Sequence, residues 1–127
     1  MRYLGIDYGT KNIGIATSNK EGTFAFPHSV VKNNEHIFNA IKKIIQEEEI
    51  ERIVLGESVN YKGEPNPVME KINEFKQKLE EETSLSVVFQ KEILTTREAE
   101  RIQGKTESLD ASAAALILRS YLEQNPQ

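Results

Sequence analysis

The spacing of apolar residues first changes from strand-like to helical near Asn34, and that change limits the folds open to the chain. Before Asn34, three short runs alternate between apolar and polar residues, as strands with one buried face do. These runs cover residues 2–8, 13–18 and 23–31, and the third contains Pro27, which favours an edge strand or a bulge. The turns between them read GTKN and NKEG. Short turns join antiparallel neighbours, so the sequence predicts a three-stranded meander.

After Asn34 the apolar residues recur at helical spacing, and helices then alternate with strands. Asn33 or Asn34 is able to cap the first helix, whose inner face holds Ile37, Ile41, Ile44 and Ile45. Residues 51–57 and 85–92 are short β-branched runs typical of buried strands. Between them, Asn66-Pro67 predicts the start of a second helix, with Val68, Ile72, Phe75 and Leu79 on its inner face.

Two further helices are predicted at the C-terminal end. Thr95 with Glu98 fits a capping box that opens a short helix, which ends near Gly104. Ser108 is able to cap a last helix that is expected to be largely buried through Leu109, Ala113, Leu116, Ile117 and Tyr121. The order β-β-β-α-β-α-β-α-α predicts an α/β protein in which helices flank one mixed five-stranded sheet. We expect the meander and two parallel strands to form that sheet in a single domain over residues 1–127.

The composition restricts the kinds of metal site available. The chain has no Cys and only two histidines, His28 and His36, so metal sites built from thiolate or imidazole ligands are not expected. Any bound metal is expected to be a hard cation held by oxygen ligands. The net charge of −4 argues against loose, charge-driven wrapping of nucleic acid, but not against a nuclease with clustered carboxylates. The longest apolar stretch, Ala113 to Leu118, is far too short to span a bilayer. A cytoplasmic location without membrane contact is therefore the default expectation.

Four acidic residues fall at predicted element ends that are compatible with one cleft. Asp7 lies within an apolar strand, where a carboxylate is costly to bury without a partner such as a metal ion. Asp110 is near the start of the last helix and is followed by small residues, which would let that helix lie close to the sheet. An aspartate in a first helical turn also commonly serves only the helix dipole. Glu57 and Glu92 each lie at the end of a predicted strand, and ligands of open α/β sheets bind at the carboxyl ends of strands. Taken singly, each glutamate is equally compatible with an ordinary solvent-exposed position.

The segment from Gly5 to Ala16 has the pattern G-x-D-x-G-T-x-x-x-G-x-A. It resembles the first phosphate loop of the actin and sugar-kinase ATPases, which bind ATP between two such domains. This chain has neither that length nor a second glycine-rich loop. ATP binding is retained only as a minor alternative.

Nearly the whole chain resembles the YqgF/RuvX family of Holliday-junction resolvase-like proteins and nucleases that mature pre-16S rRNA. The likeness rests on GIDYGTKNIGIA, on IVLGESVNYKGEPNPVMEKINEFKQKL, and on EILTTREAERI followed by SLDASAAALILRSYL. It implies a ribonuclease H-like fold and a nuclease whose Mg²⁺ or Mn²⁺ ions, two in number, are held by Asp7, Glu92 and Asp110. Glu57 is a candidate fourth ligand. Lys91 and Ile93 stand where the family usually has Asp and Arg around the middle acid.

Contacts to the substrate are expected on both sides of these acids. Candidate phosphate contacts are Thr10 and Lys11 in the first turn, the backbone N–H groups of Thr95 and Thr96, and a basic stripe of Arg97, Arg101 and Lys105. The expected partners are pre-rRNA or junction DNA, with a ribosomal particle as a further candidate. A monomer and a homodimer are both compatible with the sequence. The main rival hypothesis is a non-catalytic nucleic-acid or ribosome-assembly binding protein on the same fold.

Overall fold

A computed structural model describes residues 1–59, 68–93 and 106–126, without the side chains of residues 58, 59, 92, 93, 106–110 and 112. Five strands and three helices lie within these ranges. In chain order they are β1 (Tyr3–Asp7), β2 (Asn12–Ser18), β3 (Ala25–Lys32), α1 (Ile37–Glu48), β4 (Arg52–Val59), α2 (Met69–Thr83), β5 (Ser86–Ile93) and α3 (Thr106–Gln124). The short helix predicted between Thr95 and Gly104 falls outside the described residues.

The strands form one mixed sheet in the order β3-β2-β1-β4-β5. The meander is confirmed, because β1 pairs antiparallel with β2 and β2 pairs antiparallel with β3. The predicted parallel half is confirmed as well, since β4 runs parallel to both β1 and β5. The carboxyl ends of β1, β4 and β5 therefore lie at the same edge of the sheet.

Two local predictions in the meander are also confirmed. Pro27 lies on an edge strand, and the register between β2 and β3 shifts between Ile15 and Ala16, opposite that proline. The bulge and the edge position accommodate a residue without a backbone donor. The turn after β2 is closed by a hydrogen bond of 3.1 Å from Gly22 N to the carbonyl oxygen of Asn19, with Gly22 at φ 68°.

Each face of the sheet is covered by a different set of helices. The larger core cluster lies on one face and includes residues of α1, α2 and every second residue of β1, namely Leu4 and Ile6. A second cluster on the other face joins Tyr3 and Val54 to α3 through Ala114, Leu118 and their neighbours. Both faces of β1 are thus buried, which accounts for the nearly continuous apolar run in that strand. Within the part of the chain that the structure describes, no helix is long and apolar enough to cross a bilayer.

Four predicted details of the helices are wrong. One is the start of α2, which begins at Met69 with Val68 as its N-cap, two residues after the predicted first position at Pro67. The N-cap of α1 is His36, and Asn34 lies before the helix, where its side-chain oxygen accepts a hydrogen bond of 2.9 Å from His36 N. Such a turn competes with capping, because it uses the asparagine oxygen that a cap would need. The last helix begins at Thr106, so Ser108 lies inside it. Leu116, predicted to be buried, is 48% exposed because α3 contacts the sheet on one side only.

Candidate active site

Asp7 is the last residue of β1 and lies on the face of the sheet that α3 covers. Leu4 and Ile6 point into the core beneath α1 and α2, and alternation along the strand sends Tyr3, Gly5 and Asp7 to the opposite side. Asp7 is half-buried and is paired in register with Gly14 of β2. The structure thus places this carboxylate at the carboxyl edge of the sheet, with a glycine rather than a side chain as its cross-strand neighbour.

The helix α3 crosses the sheet and contacts all five strands. Its C-terminal part contacts the start of β1, where the rings of Tyr121 and Tyr3 are 5.7 Å apart. One to two turns earlier, Leu118 and Ala114 lie against Gly5. The strand then advances from Gly5 to Asp7 by roughly 7 Å, and four helical residues span about 6 Å. Asp110 precedes Ala114 by four residues in the same helix, so its backbone lies one turn of α3 from the contact with Gly5.

The backbone of Glu92 lies near the end of β5, in register with Ser58 of β4. Two residues earlier, Gln90 pairs with Gly56, is only 8% exposed, and donates a hydrogen bond of 3.3 Å from Nε2 to Gln124 Oε1 at the end of α3. Gln90 therefore lies on the face that α3 covers, and Glu92 occupies a strand position of the same parity. The side chains of Glu92 and Asp110 are outside the described residues.

Glu57 is not brought together with Asp7. It follows Gly56 in β4, is paired in register with Lys91, and has the same parity as Ile53 and Leu55. Alternation therefore directs its half-buried side chain toward the face that α1 and α2 cover, whereas Asp7 is on the face of α3. Its proposed role as a fourth ligand stays a prediction, and this arrangement gives it no support.

The turn between β1 and β2 has two features that hold it in shape. A Cβ atom built on Gly9 would collide with the carbonyl oxygen of Asn12, so the turn needs glycine for space. Asn33, just beyond β3, donates a hydrogen bond of 2.9 Å from Nδ2 to the Gly9 carbonyl, and its backbone N–H donates another of 2.9 Å to the Lys11 carbonyl. Thr10 and Lys11, the predicted phosphate contacts, are exposed on this turn.

Asn33 is the site residue that sequence reasoning missed. The sequence assigned it only a candidate role as a helix cap, because nothing in its local pattern shows that the end of β3 lies beside the turn after β1. That proximity follows from strand pairing, in which Asn12 is opposite Lys32.

The family model described as RuvX, Holliday junction resolvase, matches residues 1–124 of the chain. The chain belongs to the RuvX family. A relative from Thermoanaerobacter pseudethanolicus, named "Putative pre-16S rRNA nuclease", is 36% identical over 134 residues, covering 97% of this chain and 96% of the relative. A relative of the same name from Geobacillus thermodenitrificans is 36% identical over 135 residues, covering 97% and 98%. The resemblance seen in the sequence is thereby confirmed.

Solved structures confirm the ribonuclease H-like fold of this RuvX-family chain. Thermus thermophilus RuvC in complex with a Holliday junction substrate aligns with a TM-score of 0.61 at 18% identity, over 99% of this chain and 97% of that one. The fowlpox virus Holliday junction resolvase aligns with a TM-score of 0.55 at 16% identity, over 98% and 99%. At such low sequence identities these structural similarities establish the fold alone. The reaction has to be argued from the residues of the site.

Several predicted site residues lie outside the described residues of this RuvX-family chain. They are Thr95, Thr96, Arg97 and Arg101, together with Lys105. Among the side chains that the structure describes, no three acidic, histidine or cysteine groups form a cation site, and neither Glu92 nor Asp110 is in that set. Asp7 ends β1, Glu92 lies one residue before the end of β5, and Asp110 lies one turn of α3 before the contact with Gly5.

Proposed function

We propose that this chain is a metal-dependent nuclease that hydrolyses phosphodiester bonds in RNA or branched DNA. Membership of the RuvX family and the nuclease names of its relatives supply the reaction class. The single observation that carries the proposal to particular residues is the close packing of α3 on Gly5, two residues before Asp7. Asp110 lies one helical turn before Ala114 of that contact, and we propose that its carboxylate reaches the edge of the sheet where Asp7 ends β1.

The three acids fit a hard divalent cation. Carboxylate oxygens are the ligands that Mg²⁺ and Mn²⁺ prefer, and the chain offers no thiolate to compete with them. Asp7, Glu92 and Asp110 would hold the ions, two in our proposal. Bound there, the ions would supply an activated water and neutralise the charge that builds on the phosphate.

The remaining residues of the site would position the substrate. Lys11 is exposed on the turn that follows Asp7, so its ammonium group is available to a phosphate of the bound strand. Asn33 fixes that turn through its two hydrogen bonds to Gly9 and Lys11. Thr10, Thr95 and Thr96 would add hydroxyl or backbone N–H donors, and Arg97 and Arg101 would follow the strand's backbone.

The substrate we favour is pre-16S rRNA, cut at its 5′ end, because relatives at 33–36% identity over nearly the whole chain are named as pre-16S rRNA nucleases. The family description names Holliday junctions, so a four-way DNA junction is the second substrate to assay. Cleavage of a symmetric junction would require a two-fold dimer, whereas trimming of RNA would not.

The test compares wild-type protein with Asp7→Asn on both substrates, with Mg²⁺, with Mn²⁺ and with EDTA. We expect cleavage by the wild type with either metal, no cleavage in EDTA, and a loss of at least about 100-fold in Asp7→Asn, with unchanged circular dichroism. Glu70→Gln, an exposed change on α2, is the matched control and should cleave normally. Full activity in Asp7→Asn would refute the assignment of the site.

The non-catalytic alternative has one observation in its favour. Lys91 and Ile93 replace the residues that the family usually places on either side of Glu92, and Lys91 is exposed beside it. If the wild type binds RNA or junction DNA but cleaves neither with Mg²⁺ or Mn²⁺, the binding role would replace the nuclease proposal.

A further inference from the structure

A cleft lies on the face of the sheet opposite α3, between the start of α1 and the exposed side of α2. Its volume is about 430 Å³, within the range of about 300–1,000 Å³ typical of small-molecule sites. Three aromatic rings line it. The Phe75 ring is stacked on that of Phe38 at 5.4 Å and 24°, and it is tilted against that of Tyr8 at 5.1 Å.

The cleft is continuous with the turn that follows Asp7. Tyr8 is the next residue after Asp7, and alternation along the chain directs its ring to the α1 and α2 face while Asp7 stays on the α3 face. Asn33, which also lines the cleft, donates to the carbonyl of Gly9. A strand passing over this edge of the sheet would therefore meet the cleft, the Gly9–Asn12 turn and Asp7 in succession.

Cations and acids both line the rim of the cleft. Lys71, Glu74 and Lys78 are exposed and are spaced at three and four residues, so they form one stripe along α2 above Phe75. Glu35 and the amide of Asn34 lie across from them at the start of α1. The charges of the two lysines and the two glutamates sum to zero, so the cleft is not a simple cationic phosphate-binding site. It combines the partly exposed rings of Tyr8 and Phe38 with amide and carboxylate groups able to bind base edges and with two ammonium groups, while the Phe75 ring is buried in the core.

We propose that this cleft binds one unpaired nucleotide of the substrate strand, with its base against the partly exposed rings of Tyr8 and Phe38 and its phosphates at Lys71 and Lys78. Stacking on aromatic side chains is how proteins hold single strands with little sequence preference. The inference rests on the proposed function, because it treats the cleft as an extension of the nuclease site. It adds that the substrate is single-stranded next to the cut.

The first experiment measures binding without cleavage. Anisotropy of a fluorescein-labelled ten-nucleotide oligouridine is followed with the full chain in EDTA. Phe38→Leu removes a ring but keeps an apolar side chain, and we expect it to weaken binding about tenfold. Phe24→Leu is the matched control. Phe24 is 65% exposed and lies just before β3, at the end of that strand that is remote from Asn33 and the cleft. The Phe24→Leu variant should therefore bind the oligonucleotide as the wild type does. Equal affinity of Phe38→Leu and wild type would overturn the inference.

The second experiment tests the charges with a variant that does not touch the core. Lys78→Gln should weaken binding and reduce the slope of log K against log salt by about 0.7, the contribution of one phosphate contact on a single strand. Lys43→Gln, also exposed but on α1 and outside the cleft, should leave the slope unchanged. An unchanged slope in Lys78→Gln would overturn the assignment of the lysines and, with it, the nucleotide as occupant.

These outcomes separate the two proposals. If the cleft variants lose affinity but the wild type cleaves nothing, the nuclease proposal fails and the binding site stands. If Asp7→Asn abolishes cleavage while all cleft variants bind and cleave normally, the nuclease proposal stands and the cleft inference fails.

Discussion

Gly5 of β1 lies directly beneath Leu118 of α3. A Cβ atom built on Gly5 would be 2.8 Å from Leu118 Cβ and 3.0 Å from the carbonyl oxygen of Ala114. Side-chain carbons do not approach each other this closely, so the strand needs glycine at this position for space. The contact brings α3 close against the strand that ends in Asp7.

Gly5→Ala should destabilise the protein by about 1–3 kcal/mol, because an added methyl group must push α3 away from the sheet. Urea unfolding measures this cost. Leu118→Ala in the same chain should not relieve it, since alanine retains the Cβ atom that is in the way. If α3 is displaced, metal-dependent cleavage should fall by a larger factor than the folded fraction does. Wild-type stability in Gly5→Ala would contradict the packing described here.

Leu118→Ala should cost about 2–5 kcal/mol on its own, as expected for a fully buried leucine that leaves a cavity. Leu116 provides the control on the same helix, because it is 48% exposed. Leu116→Ala should change the free energy of unfolding by no more than about 0.5 kcal/mol. Equal costs for the two leucines would mean that α3 is rotated relative to this structure.

Asn33→Asp and Asn34→Asp should have different effects, although the residues are adjacent. Asn33 uses its amide as a donor to Gly9, so a carboxylate there loses the hydrogen bond and faces a carbonyl oxygen, at a cost of about 1–3 kcal/mol. Asn34 uses its oxygen as an acceptor from His36 N near the start of α1. A carboxylate keeps that bond and suits the helix dipole, so Asn34→Asp should be neutral or slightly stabilising.

Thermal unfolding of the two variants in parallel measures the difference. Asn33→Asp should also reduce cleavage, because it loosens the turn that carries Thr10 and Lys11. If both variants unfold at the same temperature, the hydrogen bond from Asn33 to Gly9 does not stabilise the turn.

Glu57→Gln should retain most of the metal-dependent cleavage, because strand alternation places Glu57 on the face opposite Asp7. The measurement is the Mg²⁺ concentration that gives half-maximal cleavage, compared with wild type and with Asp7→Asn. A shift of tenfold or more in Glu57→Gln would show that the carboxylate reaches around the end of β4 to the metal.

The sequence by itself determined the order of the elements that the structure describes. Three local features predicted these elements: the alternation in the meander, the helical spacing after Asn34, and the turn residues near Gly22. Each pattern is complete within a few neighbouring residues. Pro27 even marked the edge strand and the bulge, because the missing N–H of proline is a local property with one structural consequence. The signature around Asp7 likewise identified the acid that ends β1.

Only the tertiary structure decided how these elements face one another. Four features depend on residues that are far apart in the chain. They are the packing of α3 on the sheet, the placement of Glu57 on the face opposite Asp7, the exposure of Leu116, and the hydrogen bond from Asn33 to Gly9 in the first turn. Local spacing fixes which side chains share a face of one strand or helix. It carries no information about which face meets which neighbour, since strand register and helix packing are settled by the burial of the whole core.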